Sequence, residues 1–152
     1  MSLRLSFESR LAAPAAQVWA QVSTMAGVNA ELMPLLRMSY PAEYAGMTLS
    51  DAPIRQVIFH SWLLLLGVLP FDRHALQLER VYPMGFDERS SSWMQRVWIH
   101  RRRVEPDGDG CRVTDELEIE PRLPFAGVVV GPVVRAIFAH RHRRLRARFG
   151  AL

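Results

Sequence analysis

The 152-residue sequence predicts a single α+β domain, residues 1–152, in which a curved antiparallel sheet wraps around a long C-terminal helix. Two observations lead to this fold class. Segments of alternating apolar and polar residues fill the middle of the chain, and apolar residues recur at helical spacing near its end. Hydrophobic residues make up 49% of the chain and charged residues 22%, which is typical of a globular protein.

The N-terminal segment predicts one strand followed by two short helices. Residues 3–11 alternate, with the apolar side chains and Ser9 on one side, as in a half-buried strand. Pro14 suits the first turn of a helix, and Gly27 is a suitable end for it. A second short helix is predicted over 29–36. Two small helices directly after the first strand are a distinctive order.

Residues 53–66 admit two interpretations. A helix is favoured because Asp51 can cap it, Pro53 suits its first turn, and apolar residues follow at helical spacing. The alternative is a buried strand over 57–66. Because the run from Leu63 to Leu66 does not alternate, we predict the helix.

From His74 onward, alternation predicts consecutive antiparallel strands. They are expected over 74–82, 86–92, 94–104 and 111–120. Turn signals separate them, most clearly at 106–110. The last strand alternates most regularly, and its inward face carries Asp115 among apolar residues.

A final helix is predicted over 124–149. Its apolar residues at three- and four-residue spacing share one face, which must be buried against a wide surface. They are Val130, Val133, Val134, Ile137, Phe138 and Leu145. We therefore expect this helix to lie across the sheet and close a cavity.

The excess of positive charge lies at the end of the chain. The net charge is +4, all 19 basic residues are arginine, and residues 140–152 hold five arginines and no acid. The favoured explanation is a set of cations at the end of a helix dipole. The alternative is peripheral contact with an anionic membrane or, less favoured, with nucleic acid. That contact would use Arg141, Arg143, Arg144, Arg146 and Arg148.

The order of elements resembles the helix-grip fold of the SRPBCC superfamily, which includes START and polyketide cyclase/dehydrase-like proteins. Five segments carry the resemblance: Ala13-Pro14-Ala15-Ala16-Gln17-Val18-Trp19, Gly85-Phe86-x-Glu88-x-Ser90, Trp98-x-His100-x-Arg102, Val113-Thr114-Asp115 and Phe138-x-His140-Arg141-His142-Arg143-Arg144-Leu145. The resemblance implies a mostly apolar cavity between the sheet and the last helix. It does not imply one reaction, since such folds serve carriers, cyclases and regulators.

Polar residues on the inward face of the predicted sheet are the candidate functional residues. They form a structural hydrogen-bonded network, anchor the polar end of an apolar ligand, or act in catalysis. The catalytic candidates are His100, Glu88 and Asp115. The residues expected to contact a ligand are Ser90, Met94, Trp98, His100, Arg102, Leu117 and Phe138.

No motif for a nucleotide, a metal ion or an esterase nucleophile occurs, so no cofactor is predicted. Cys111 is the only cysteine, and no signal-peptide pattern opens the sequence, so a cytoplasmic location is expected. We predict non-enzymatic binding of a small hydrophobic ligand: a lipid, fatty acid or polyketide-like aromatic. The second hypothesis is a cyclase or dehydratase using His100 with Glu88 or Asp115, and the third is an interaction role for the arginine-rich tail.

Overall fold

The computed structural model describes residues 2–152, which form a seven-stranded antiparallel sheet with a long helix across it. The strands are β1 (Leu3–Leu11), β2 (Leu36–Met38), β3 (Val57–Leu65), β4 (Leu69–Tyr82), β5 (Gly85–Ser92), β6 (Gln95–Asp107) and β7 (Gly110–Pro121). Their order in the sheet is β1-β7-β6-β5-β4-β3-β2. The helices are α1 (Ala15–Val22), α2 (Met25–Leu32) and α3 (Gly127–Phe149), with short 3-10 turns at Ala42–Tyr44 and Leu49–Asp51. This is the helix-grip arrangement, so the predicted fold class is confirmed.

The helix predicted over 53–66 is wrong. The segment forms β3, which pairs with β4 on one side and β2 on the other. Alternation is lost because register shifts interrupt β3 between Val57 and Phe59 and between Leu63 and Leu64. The strand then ends at a turn in which Leu66 has a φ of 54° and is 65% exposed. The leucine run is therefore the end of β3, with Leu65 and Leu66 exposed at the tip of a hairpin, and not one face of a helix.

The boundaries predicted for the two short helices are also wrong. Gly27 lies inside α2, and the Thr24 hydroxyl caps this helix by accepting a hydrogen bond from the Gly27 N–H at 3.0 Å. A Cβ on Gly27 would lie 1.7 Å from the carbonyl oxygen of Gln21, so glycine permits the close approach of the two helices. The chain leaves α2 at Leu32 and forms the short strand β2, which the sequence did not predict.

The inward face predicted for α3 is largely confirmed, although Val133 is 51% exposed. The buried side chains of the helix include two charged or polar ones in addition to apolar ones. They are Val130, Val134, Phe138, Arg141, His142 and Leu145. The face that packs on the sheet is thus apolar in its first half and mixed in its second half.

The hydrophobic core is divided into two clusters. One packs α1 and α2 against the sheet and includes Leu11, Val18, Val22, Phe86, Val113 and Leu145. The other packs the first half of α3 against β1 and β7 and consists of Leu5, Leu117, Ile119, Val130, Val134 and Phe138. Along β7 and along α3, polar residues stand between the members of the two clusters.

Candidate functional site

A row of buried polar side chains crosses the interior between the two apolar clusters, and we call it the polar belt. Its members come from five strands and two helices. They are Ser9, Glu31, His74, Glu88, Ser90, His100, Arg102, Asp115, Arg141 and His142, each at most 7% exposed. Alternation in the strands aims these side chains at α3, because residues two apart share a face of the sheet.

Asp115 lies at the centre of the belt and is fully buried. Arg102 donates to its two carboxylate oxygens from Nε and Nη2 at 2.7 and 2.8 Å. His100 Nε2 and His142 Nε2 each lie 2.7 Å from an oxygen of the same carboxylate. Burial alone would raise the pKa of Asp115, but Arg102 and then His100 hold it well below its usual range. The carboxyl of Asp115 therefore carries a negative charge at neutral pH.

Glu31 on α2 joins the helices to the belt. It accepts hydrogen bonds from Arg102 Nη1 at 2.9 Å and from Arg141 Nε at 3.0 Å. Burial opposes ionisation of this carboxyl, but the two guanidinium groups outweigh it and lower the pKa of Glu31. Removing one partner of such a buried ion pair strongly destabilises a protein, because the other charge is left buried without a partner.

Glu88 organises the other side of the belt. Its Oε2 lies 2.7 Å from His74 Nε2 and accepts a hydrogen bond from the Ser90 hydroxyl at 2.7 Å, and its Oε1 lies 3.6 Å from His100 Nδ1. Burial would raise the pKa of Glu88, but the neighbouring imidazoles of His100 and His74 lower it instead. His100 consequently lies between two ionised carboxylates.

Aromatic rings from the apolar cluster between the first half of α3 and strands β1 and β7 lie directly against the belt histidines. The Phe138 ring meets the His100 ring edge to face, with centroids 5.2 Å apart, and the Trp98 ring meets the His74 ring in the same way at 6.1 Å. Phe7 stacks on Phe138 at 5.4 Å. Aromatic side chains of this cluster therefore border the polar belt directly.

The sequence matches the family described as "Domain of unknown function (DUF8410)" over residues 9–149. The chain belongs to this family. No curated protein matches it.

Solved structures with low sequence identity share the fold of this DUF8410 chain. A START superfamily protein from Mycobacterium smegmatis is 15% identical, with 96% of both chains covered and a TM-score of 0.67. A protein from Chromobacterium violaceum is 13% identical, with 99% of both chains covered and a TM-score of 0.70. Truncated norcoclaurine synthase from Thalictrum flavum is 12% identical over 95% of this chain and 91% of that one, with a TM-score of 0.64. The predicted resemblance to SRPBCC proteins is thus confirmed in the fold.

The residues singled out from the sequence have different surroundings. Glu88, Ser90, His100, Arg102 and Asp115 meet in the belt, as the inward-facing alternation predicted. Leu117 and Phe138 are buried in the apolar cluster beside the belt, and Trp98 packs against that cluster. Met94, predicted as a cavity wall, is instead 46% exposed in the turn between β5 and β6.

Half of the belt was not predicted. Ser9, His74, Glu31, Arg141 and His142 all contact its carboxylates or histidines. The two strand residues could have been found from the sequence, because Ser9 and His74 are polar residues on the inward face of alternating strands. The helix residues had none, since their role depends on how α2 and α3 dock.

The contacts of the belt restrict what it can do chemically. Each ring nitrogen of His100 faces a carboxylate of the protein: Nε2 lies 2.7 Å from Asp115, and Nδ1 lies 3.6 Å from Glu88. Nε2 is therefore occupied by Asp115 and not presented to a ligand. Arg102 directs its guanidinium nitrogens at Glu31 and Asp115, which leaves it committed to the protein. Burial and then the charge of Asp107 raise the pKa of the Cys111 thiol, which is the opposite of what an activated nucleophile needs.

Two pockets among residues 2–152 lie outside the space between the sheet and α3. One, of about 250 Å³, is a groove on the sheet lined by residues that include Gln77, Ser91 and Val97. The other, of about 300 Å³, lies between α2 and the end of α3, beside Ala30, Arg144 and Phe149. A deep hollow at the level of the belt, as the resemblance implied, is not among them.

The arginine-rich tail is partly built into the fold. Arg141 is 7% exposed and ion-paired with Glu31, so its inclusion among membrane-facing residues is wrong. Arg146 Nη1 donates to Ser9 at 2.8 Å, and Arg144 Nε donates to the carbonyl oxygen of Ala30 at 3.0 Å. Arg143 remains exposed.

Residues 2–152 contain neither a metal-binding cluster nor a membrane-spanning helix. Within residues 2–152, no group of three or more histidine, cysteine, aspartate or glutamate side chains is arranged to hold a metal ion. None of the helices in that part of the chain is both long enough and apolar enough to cross a membrane.

Proposed function

We propose that this protein binds a small, mainly hydrophobic molecule between the first half of α3 and the sheet, with the polar group of the molecule directed at the belt. The single observation that carries the proposal is the contact between aromatic side chains of the apolar cluster and histidines of the polar belt. Phe138 lies against His100, and Trp98 lies against His74. Pockets for such ligands combine apolar walls with a few fixed polar groups.

The position of the proposed site follows from how burial changes along α3. At the level of the belt, the interior is filled by ion pairs that hold their partners at 2.7–3.0 Å. Towards the start of α3, Trp98 and Ile137 are only partly buried. A ligand would therefore enter from that side and stop at the belt, with Trp98, Phe138 and Leu117 as its neighbours.

The names of similar structures support the same class of function. The START superfamily protein and norcoclaurine synthase share this fold with the chain. Of the classes that such names suggest, binding fits the belt better than catalysis, because Asp115 holds Nε2 of His100 and Nδ1 faces Glu88. A cyclase or dehydratase role for His100 with Glu88 or Asp115 therefore ranks second.

The proposal is tested with two probes, 1-anilinonaphthalene-8-sulfonate and palmitate. The full chain should bind the dye saturably, palmitate should displace it, and Trp98→Ala should weaken both by about tenfold, as expected for loss of a large aromatic wall. Trp62→Ala is the matched control, because Trp62 contacts Trp93 and Arg73 rather than the belt.

Native mass spectrometry of protein purified from its own host gives the independent readout. A co-purifying molecule of a few hundred daltons that is lost from Trp98→Ala would support the proposal. Absence of any such molecule, together with dye binding that does not saturate, would refute it. Equal losses in the two tryptophan variants would also count against a site at Trp98.

A further inference from the structure

Exposed hydrophobic side chains are concentrated at one end of the molecule, which we call the open end. It is the end at which β1, β4 and β6 begin and β3, β5 and β7 finish. Its exposed side chains are Leu65, Leu66, Val68, Leu69, Phe71, Trp93, Met94, Leu123, Phe125, Val128, Val129 and Val133. Among residues 2–152, the other exposed large hydrophobic side chains are only Ile54, Val57 and Leu152. Such concentration marks an interaction surface.

Three connections of the chain carry this surface. They are the β3–β4 turn, the β5–β6 turn and the segment that leads from β7 into α3. Backbone hydrogen bonds join them, from the Trp93 N–H to the Arg73 carbonyl at 3.3 Å and from the Arg122 N–H to the Met94 carbonyl at 3.1 Å. The side chains at the tips protrude strongly: Phe125 is 86% exposed and Val128 80%.

The electrostatics of the open end are positive. Residues 62–71, 93–97 and 121–139 contain no aspartate or glutamate, but they contain Arg122 and Arg135, besides Arg96, whose charge is balanced by Glu120. The nearest acids are neutralised or hidden, because Glu120 pairs with Arg96 at 2.9 Å and Asp72 is 3% exposed. The start of α3 has no acidic residue and no side-chain cap, so its dipole adds positive potential at this end.

We propose that the open end docks onto the surface of an anionic lipid bilayer. Protruding apolar tips that insert at the level of the headgroups, surrounded by arginines that meet lipid phosphates, are the features by which proteins bind membranes peripherally. This inference goes beyond the proposed function and does not depend on it. It assigns the membrane to the end opposite the arginine-rich tail, since α3 runs from the open end to Gly150, which bonds to Ala12 at the far end of β1.

A second copy of the chain is a poorer occupant of this surface. A symmetric dimer through the open end would bring Arg122 and Arg135 of one copy towards the same arginines of the other. No acidic residue in the three segments is available to pair with them. Anionic lipid supplies the missing negative charge, and a dimer does not.

The test is co-sedimentation with vesicles of phosphatidylcholine alone and of phosphatidylcholine containing about one-third phosphatidylglycerol. The full chain should bind the anionic vesicles about tenfold or more tightly than the neutral ones, and added salt should weaken the binding. The double variant Phe125→Glu/Val128→Glu should lose about tenfold or more of this affinity, since both charged side chains would have to enter the interface. The fold should survive, because both sites are exposed and glutamate is favourable at a helix start.

Two control variants locate the contact. Ile54→Glu/Leu152→Glu introduces the same charge at exposed apolar sites outside the open end and should bind as the unmodified chain does. Arg143→Gln/Arg148→Gln removes tail charge and should change the affinity by less than about twofold. A large loss in the tail variant, with none in the Phe125/Val128 variant, would overturn the proposal in favour of the tail.

Further outcomes would also refute the proposal. If the full chain fails to sediment with anionic vesicles, the open end does not dock on lipid. If sedimentation velocity shows a dimer that Phe125→Glu/Val128→Glu dissociates, and vesicles do not compete with it, the surface belongs to a second copy. A blue shift of Trp93 emission on adding anionic vesicles, absent in Trp93→Phe, would independently support insertion.

Discussion

Asp115 is the residue on which the contacts of the belt converge. Its carboxylate faces one guanidinium group and two imidazole rings at 2.7–2.8 Å. The belt as a whole contains three carboxylates, two arginines and three histidines. With the carboxylates ionised, the two arginines balance two of the three negative charges. The interior is thus close to electrical balance, which a buried network of charges requires.

Replacing Asp115 by Asn should be among the most destabilising single changes in this protein. The substitution keeps the shape but removes the charge that faces Arg102, so we expect the free energy of unfolding to fall by about 3–5 kcal/mol. Urea denaturation followed by circular dichroism measures this. The control is Glu118→Gln at the partly exposed pair with Arg101, where the loss should stay below about 1 kcal/mol. Equal effects of the two changes would contradict the buried network.

The belt should also make stability depend on pH in the acid range. Glu31, Glu88 and Asp115 have folded-state pKa values below their ordinary values of 4.5, 4.5 and 3.8, so the folded protein binds fewer protons than the unfolded chain as the pH falls through this range. The stabilisation is present above about pH 4.5 and is lost below it, with a slope of at most about 1.4 kcal/mol per pH unit for each carboxyl.

Denaturation midpoints measured between about pH 6 and pH 3 test this dependence. Glu88→Gln should give a shallower decline, because it removes one of the three carboxyls. Glu43→Gln, which changes an exposed carboxyl, should leave the slope unchanged. A decline of the same steepness in Glu88→Gln would show that Glu88 does not contribute.

At the scale of the elements, alternation was a reliable guide where strands pair without interruption. β1 was predicted with its observed bounds, and Asp115 and His100 were placed on the inward face for the same reason. Prediction failed at β3, where two register shifts remove the period of two. It also failed at Gly27, because a glycine that permits close packing has the same sequence signal as one that ends a helix.

Gly27→Ala should therefore destabilise the protein even though alanine is the better helix former. Isolated helix propensity favours alanine by about 1 kcal/mol. The added methyl group would have to displace the backbone of Gln21, which we expect to cost about 1–3 kcal/mol overall. Gly46→Ala is the matched control, since a Cβ there meets no atom within 4 Å. Thermal melting of both variants should show a clear loss for the first and little change for the second.

At the scale of the whole molecule, the site depends on elements far apart in the chain. Arg102 and Glu31 are 71 residues apart, and Ser9 and His142 are 133 residues apart. Strand alternation predicted the sheet half of the belt, but only the docking of α2 and α3 brings in Glu31, Arg141 and His142. The sequence therefore predicts which face of the sheet carries the buried polar residues more readily than which helix residues complete the belt.

The same docking should make the two halves of α3 differ in local stability. The second half is fixed by Arg141 to Glu31, by His142 to Asp115 and by His140 to the Met33 carbonyl at 2.9 Å. The first half has several exposed valines, and Pro132 cannot donate the hydrogen bond that a helix needs at its position. Hydrogen exchange should accordingly be about tenfold or more faster over 129–133 than over 138–145.

Adding anionic vesicles connects this difference to the open end. If the first turns of α3 lie against lipid, exchange over 128–131 should slow while exchange over 138–145 stays constant, because only the former is at the proposed membrane surface. Mass-spectrometric detection of peptides from the two halves separates the effects within one experiment. Uniform protection along α3 in the absence of vesicles would contradict the division of the helix. Slowing confined to the second half would instead locate the contact at the arginine-rich tail.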